Sequence, residues 1–328
     1  MRGARYVGVD VSADEITVAI EGRAERVTLA NDVEGHERLI RLLTRRGKPA
    51  RVCLEATGIY HLDLALALHR ARAIEVMVVN PTAARDFGRA LLQRSKTDRV
   101  DAGVLLEFAQ RMPFESWQPP APEILDLRAI VRRIGGLTVT RTQERNRLHA
   151  AGRCAELTDA IAWDIEAHLE HLAQSLERLQ EQALVVVHSD PELARRFERL
   201  LSVRGIATIS ALRILAELAV LPADMTPRQW VAHAGLDPRA LDSGTSLHKP
   251  ARISKKGNSH LRAALYMPAM VAAREEPQVR SFYHKRIAGG LKPIQALVAV
   301  ERKLLHSIHG MWSSNRDFDG EKFCARSA

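Results

Sequence analysis

Four carboxylates stand where acids are costly unless they are used. Asp10 interrupts the apolar run "VGVDVS", Glu55 closes "VCLEATG" before a glycine turn, and Asp98 and Asp101 lie three apart in "SKTDRVDAGVL". That spacing puts the last two on one helix face. A buried acid needs a cation or a hydrogen-bonding partner. Oxygen ligands from separate elements are what Mg²⁺ takes, and two such ions can clamp the attacking and leaving oxygens of a phosphodiester. Taken singly, each acid has a plainer reading: a helix N-terminal acid beside the macrodipole for Asp98 or Asp101, an edge residue for Glu55, an arginine partner for Asp10. Lys96 and Arg99 flank the late pair, where they could reach a phosphate or balance the acids.

A second group lies far downstream. In "DSGTSLHKPARISKKGN" Ser243 precedes Gly244, a residue suited to a tight exposed turn. Arg239, Lys249, Arg252, Lys255, Lys256 and Arg262 surround it against the single acid Asp242. Such a surplus fits a phosphate backbone, and a hydroxyl placed there could act as a nucleophile once activated. A flexible basic loop before a helix starting near Asn258, capped by Ser259, reads the same residues equally well.

Both groups need elements to hold them. "RYVGVDVS", "EITVAIEG" and "ERVTLAN" read as three strands joined by short turns. "EGHERLIRLLTRRG" is an amphipathic helix ending at Gly47, "ARVCLEA" a strand, "HLDLALALHRA" a helix and "AIEVMVVN" a strand that stops before Pro81. The order βββαβαβα predicts a mixed five-stranded sheet with helices on its faces. "RMPFESWQPPAPE" carries four prolines and reads as a linker, with Trp117 packing it down.

The remainder reads as mostly helical. Seven arginines (128, 132, 133, 141, 145, 147 and 153) face Glu123, Asp126 and Glu144, which suits either a phosphate track or a solvated helix face. Ile165, Leu169, Leu172, Leu176, Leu179 and Ala183 step as a heptad seam, for a dimerising helix or an antiparallel helix pair. "LLSVRGIATISALRILAEL" resembles a helix-hairpin-helix unit, with Ala207 where a second glycine is expected. The tail "SSNRDFDGEKFCARSA" reads as polar and frayed.

Composition narrows the classes. The chain has 328 residues and a net charge of +9, which favours an anionic partner. Three scattered cysteines argue against a disulfide framework and a cysteine zinc site, and no H-E-x-x-H spacing occurs. His36, His61 and His233 read as surface or core residues rather than ligands. No apolar run has the shape of a signal peptide or the length of a membrane span, which predicts a soluble protein of a reducing compartment. Three classes stand open on these residues: a recombinase acting through serine, a metal-dependent Holliday-junction-type endonuclease using water, and a non-catalytic nucleic-acid binder.

"YVGVDVS", "CLEATGIY", "VNPTAARDFGRALLQRSKTDRVDA" and "LDSGTSLHKPARISKKGNSHLRAAL", taken together, resemble the DEDD transposases of the insertion-sequence one-ten family, over roughly residues 5–310. The resemblance implies a RuvC-like, RNase H-type domain over 1–112 and a linker over 113–123. It further implies a helical coiled-coil oligomerisation region over 124–198, a mostly helical transposase domain over 199–312 and a tail over 313–328. It implies that Asp10, Glu55, Asp98 and Asp101 bind Mg²⁺ and that Ser243 forms a phosphoserine link to DNA. It also implies donor and target DNA as substrates, a noncoding guide RNA, assembly into dimers or tetramers, and a bacterial, cytoplasmic setting.

Overall fold

The structure is a computed structural model that describes residues 3–45, 47–56, 58–91, 98–153, 159–243 and 247–324; at 98–100, 240–243 and 247–251 it describes the backbone alone. The chain divides into two units, Met1–Pro119 and Pro120–Ala328.

In the first unit the strands are β1 (Arg5–Val11), β2 (Glu15–Ile20), β3 (Val27–Ala30), β4 (Ala50–Glu55) and β5 (Ile74–Val79). They lie in the order β3-β2-β1-β4-β5, with β1–β2 and β2–β3 antiparallel and β1–β4 and β4–β5 parallel. This is the predicted mixed sheet. Helices α1 (Val33–Thr44) and α2 (His61–Arg70) supply the crossovers, followed by α3 (Pro81–Ala90) and α4 (Asp98–Arg111). Local chemistry starts them. Asp32 caps α1 by accepting from the Gly35 N–H, and Asn80 caps α3 ahead of Pro81.

Period-two alternation sorts the two faces of the sheet. Val7, Val9, Val52, Leu54 and Val76 pack against Leu39 and Leu43 of α1 and Leu64 and Leu68 of α2. On the other face Cys53, Met77 and Val79 pack against Leu105 and Ala109 of α4. At one end of that face Arg51 donates to Glu75 (2.8 Å) and Tyr6 (3.3 Å) and stacks on Phe114, 5.1 Å from its ring centre. Trp117 holds the proline-rich segment down. Its backbone N–H donates to the Val76 carbonyl at 2.7 Å, and its ring meets His69 edge-on.

The second unit holds α5 (Pro122–Ala151), α6 (Asp159–Ser189), α7 (Pro191–Leu201), α8 (Thr208–Leu218) and α9 (Pro227–His233). After them come β6 (Pro238–Ser243), β7 (Leu247–Ile253), α10 (Ser259–Glu275), α11 (Pro277–Ala288), α12 (Pro293–Ser314) and α13 (Gly320–Cys324). The heptad seam of α6 is buried against α5 of the same chain, where Leu172 and Leu176 meet Ile134 and Leu137. Ala183 and Val187 join the core that holds Leu127 and Val131, so the two helices run antiparallel. Gly205, between α7 and α8, has φ +104, and a Cβ there would lie 2.8 Å from both the Pro268 carbonyl and the Ala272 N–H of α10. Its turn is therefore packed on another helix.

Three local expectations are corrected. The stretch read as a basic loop forms an antiparallel hairpin of β6 and β7. Helix α10 is capped by Asn258, whose Oδ1 accepts from the His260 and Leu261 N–H groups, and Ser259 is its first residue. The tail is docked rather than frayed as far as Cys324: Phe323 is buried against Phe282, and Asp317 accepts from Arg199 at 2.6 Å. No helix among the described residues is long and apolar enough to cross a membrane.

Candidate active site

The parallel ladder of β1 and β4 pairs Gly8 with Cys53 and Val9 with Leu54. Asp10 and Glu55 are the next residues on each strand, so the two acids sit side by side at the carboxyl end of the sheet. Alternation puts Asp10 on the same face as Gly8 and Tyr6. Helix α4 crosses that face at very short range: a Cβ on Gly8 would lie 2.2 Å from the Ala102 carbonyl and 2.3 Å from the Leu106 N–H. Glycine at position 8 is what lets the helix approach.

The direction of α4 follows from its other end. Gln110 donates to Glu21 at 3.0 Å, and Glu21 accepts the Tyr6 N–H at 3.0 Å. The helix thus runs against β1, and its opening residues Asp98 and Asp101 start at the Asp10 end. Three elements therefore bring all four acidic positions to one edge. Asp10, Glu55 and Asp101 are each half-buried, while the Asp98 and Arg99 side chains lie outside the described residues, as does Lys96 entirely. Among the described residues no group of three or more His, Cys, Asp or Glu side chains is assembled closely enough to hold a metal ion. The donor set is chemically suited to a hard divalent cation, because it offers carboxylate oxygens only. Cys53, a softer group two residues before Glu55 on β4, is fully buried, and burial first, then the Glu55 charge, pushes its thiol up to about 12.

Two residues that the motifs did not single out brace this edge. The Asn31 amide donates to the Ser12 carbonyl at 2.8 Å and the Tyr60 carbonyl at 3.2 Å. Ser12 lies two residues after Asp10 and Tyr60 five after Glu55, so one side chain ties both loops. Asn31 Oδ1 meets His36 Nε2 at 2.8 Å. An amide oxygen only accepts, which assigns the proton to Nε2. Burial lowers the His36 pKa against the pull of Asp63 and Asp32, so this buried ring is neutral and structural, as its class predicted. No local pattern marks the brace, because the two carbonyls that Asn31 ties lie 19 and 29 residues away.

In the second unit Ser243 ends β6, in register with Leu247 across the hairpin tip. Its side chain lies outside the described residues, as do Gly244 and the Lys249 side chain. Arg239 pairs across the hairpin with Arg252, and both are exposed. Like charges directly opposite cost stability unless an anion lies between them. Lys255 and Lys256 are also exposed. Arg262 is different. Its guanidinium turns inward and donates to the Ala234 carbonyl at 2.8 Å, so it serves the fold.

Comparison with known proteins gives two family matches. A family model described as "Transposase" matches residues 7–151, and one described as "Transposase IS116/IS110/IS902 family" matches residues 197–284. The chain is similar to the pilin gene-inverting protein of Moraxella bovis, 25% identical over 323 residues, covering 96% of this chain and 97% of that protein. The pilin gene-inverting protein of Moraxella lacunata matches to the same extent. A probable family 20 transposase of Pseudomonas aeruginosa is 25% identical over 299 residues, covering 82% of this chain and 84% of that one.

Proposed function

The chain belongs to the insertion-sequence one-ten family of transposases, DNA recombinases of the DEDD type that use a divalent metal, and from that premise we propose how its residues divide the work. Ser243 is the nucleophile. Its Oγ bonds to a backbone phosphorus, the bond from that phosphorus to a deoxyribose oxygen breaks, and the leaving oxygen takes a proton. Attack by an incoming DNA hydroxyl then reverses the exchange and frees the serine. Each step replaces one phosphodiester by another, so no energy-supplying co-reactant is needed.

Asp10, Glu55, Asp98 and Asp101 would hold Mg²⁺, which, when bound, neutralises charge on the reacting phosphate. The observation that carries this is the single sheet edge where Asp10, Glu55 and the start of α4 lie together. Arg239, Lys249, Arg252, Lys255 and Lys256 track the DNA backbone beside Ser243, and Lys96 and Arg99 meet a phosphate near the acids. The exposed arginines of α5, Arg133, Arg145 and Arg147, suit the backbone of a second, sequence-reading strand. We assign that strand to a noncoding guide RNA, with base pairing selecting donor and target DNA. Dimers or tetramers assemble the reacting ends. The names of the Moraxella relatives, pilin gene-inverting proteins, support a reaction that rearranges DNA.

The test is a covalent-adduct assay with labelled donor and target DNA, Mg²⁺ and RNA transcribed from the flank of the element. Wild type is expected to give a protein–DNA band on a denaturing gel. Ser243→Ala abolishes it, and Asp10→Asn or chelation reduces it by at least about a thousandfold. Free nicked DNA without an adduct, persisting in Ser243→Ala, would make the protein a hydrolytic nuclease instead.

A further inference from the structure

The motif "RISKKGN" holds more than cations, and its uncharged residues interlock the base of the hairpin. Ser254 follows β7 and Asp237 precedes β6; the Ser254 N–H donates to the Asp237 carbonyl at 2.9 Å and its Oγ to Asp237 Oδ1 at 2.5 Å. The Lys255 N–H donates to the Gly235 carbonyl at 3.0 Å, and the Asn258 N–H to the His233 carbonyl at 2.6 Å. Gly257 is required where it stands, since a Cβ there would lie 2.3 Å from the His233 carbonyl.

The interlock ends on a buried charge. Glu217 of α8 is 2% exposed, among Ile214, Leu215 and Leu218. Arg132 of α5 grips it with two bonds, Nε to Oε1 at 2.8 Å and Nη2 to Oε2 at 3.0 Å. Asn258 Nδ2 donates to Oε2 at 2.6 Å while its Oδ1 caps α10. Arg128 stands 3.6 Å away. Burial raises the Glu217 pKa, but the bonds from Arg132 and Asn258 and the charges of Arg132 and Arg128 outweigh it, so the group is held below its ordinary value.

We propose that Arg132, Glu217 and Asn258 form a clasp that positions the hairpin and, through it, the Ser243 hydroxyl. Stability alone does not account for the arrangement, because buried ion pairs are often matched or bettered by apolar residues of similar volume. What the clasp adds is a fixed register between α5, α8 and the chain that leaves β7. Asparagine is the side chain that fits position 258. It accepts from two helix N–H groups and donates to a carboxylate at once, whereas aspartate lacks the donor and serine the reach. The proposal rests on Ser243 being the nucleophile.

Asn258→Asp tests it. The variant keeps the cap acceptor but loses the donor and sets two carboxylates in contact. With full-length protein, RNA and DNA at pH 8.5, the adduct rate should fall about a hundredfold, the cost of a misplacement near 1 Å. As pH drops toward 6 the two carboxyls come to share a proton, which restores a donor. The deficit relative to wild type should therefore shrink on acidification. The groups facing this pair are Arg128 and Arg132 of α5, Arg213 of α8, His233 of α9 and His260 of α10. The arginines stay charged; burial, the first cause, lowers both histidines in the wild type, and His233 Nε2 lies 3.4 Å from Asn258 Nδ2, so a proton taken up by the variant on acidification is shared among the two carboxyls and this ring.

Arg132→Lys keeps the positive charge against Glu217 but loses the two-bond grip. It should slow adduct formation at least about tenfold with no change on acidification, and it carries the test if Asn258→Asp does not fold. A folded Asn258→Asp with the wild-type rate at pH 8.5, a deficit that does not change with pH, or a folded Arg132→Lys with the wild-type rate would each overturn the clasp. Ser243→Ala runs beside them: an adduct that survives there removes the nucleophile reading, whereas an adduct lost there but unchanged in Asn258→Asp removes the clasp alone.

Discussion

A buried carboxyl away from the reacting edge gives a signature in solution. Glu301 of α12 is 2% exposed. Burial pushes its carboxyl up to about 7, although the Arg262 charge pulls the other way. The folded chain therefore keeps a proton that the unfolded chain releases above its ordinary carboxylate value. Stability is lost as pH rises through that window, by about 3 kcal/mol at full ionisation. Glu301→Gln should melt close to wild type at pH 4.5 and clearly above it at pH 8.5; equal differences at the two values would show that Glu301 does not titrate there. Asn31 makes a different prediction. Asn31→Ala leaves the Ser12 and Tyr60 carbonyls and the His36 Nε2–H without that partner. It should cost about 1–3 kcal/mol in urea unfolding of the first unit and slow adduct formation as well.

The crossing of α4 over β1 belongs to the scale of elements. It depends on one missing side chain, because Gly8 meets the helix backbone itself, which cannot swing aside as a flexible side chain would. Gly8→Ala must lift the helix, at a cost of about 1–3 kcal/mol. The lift also displaces Asp98 and Asp101 from the strand ends that carry Asp10 and Glu55. Adduct formation should therefore fall further than the loss of folded protein explains, checked by assaying where melting shows the variant fully folded. A rate that tracked the folded fraction alone would mean the helix can shift without disturbing the acids. The hairpin shows the opposite strategy. Arg239 and Arg252 face each other at a cost to the free protein, which a bound polyanion would relieve.

At the scale of the whole molecule, charge governs encounter. With 48 Lys and Arg against 39 Asp and Glu, binding to nucleic acid should weaken steeply with salt. Replacing both Arg239 and Arg252 with Ala should reduce the slope of log affinity against log salt by about 2 if each meets one phosphate. A binding titration over several salt concentrations reads this directly, and an unchanged slope would place the DNA elsewhere. The two units carry separate hydrophobic cores, so the acids of the first and the hairpin of the second each have their own scaffold.

Much of the first unit was legible from residue order, because the information is local. Alternation in "RYVGVDVS" and "ARVCLEA" reports which residues point to a core, and an acid at the end of such a run marks the strand end whatever lies opposite. The hairpin was not legible. "PRALDS" and "LHKPARI" carry no clean period of two, and their strand character comes from pairing with each other. The heptad seam named a helix with an apolar stripe, but only packing identified α5 as what covers it. Residue types alone nominated the acids, the serine and the cations, and they carried the family. Tertiary structure decided that Gly8 admits a helix, that Arg262 turns inward, and that Asn258 reaches a glutamate 41 residues away. Those are facts of distance in space, and a one-dimensional pattern carries no signal for a partner met only when the chain closes on itself.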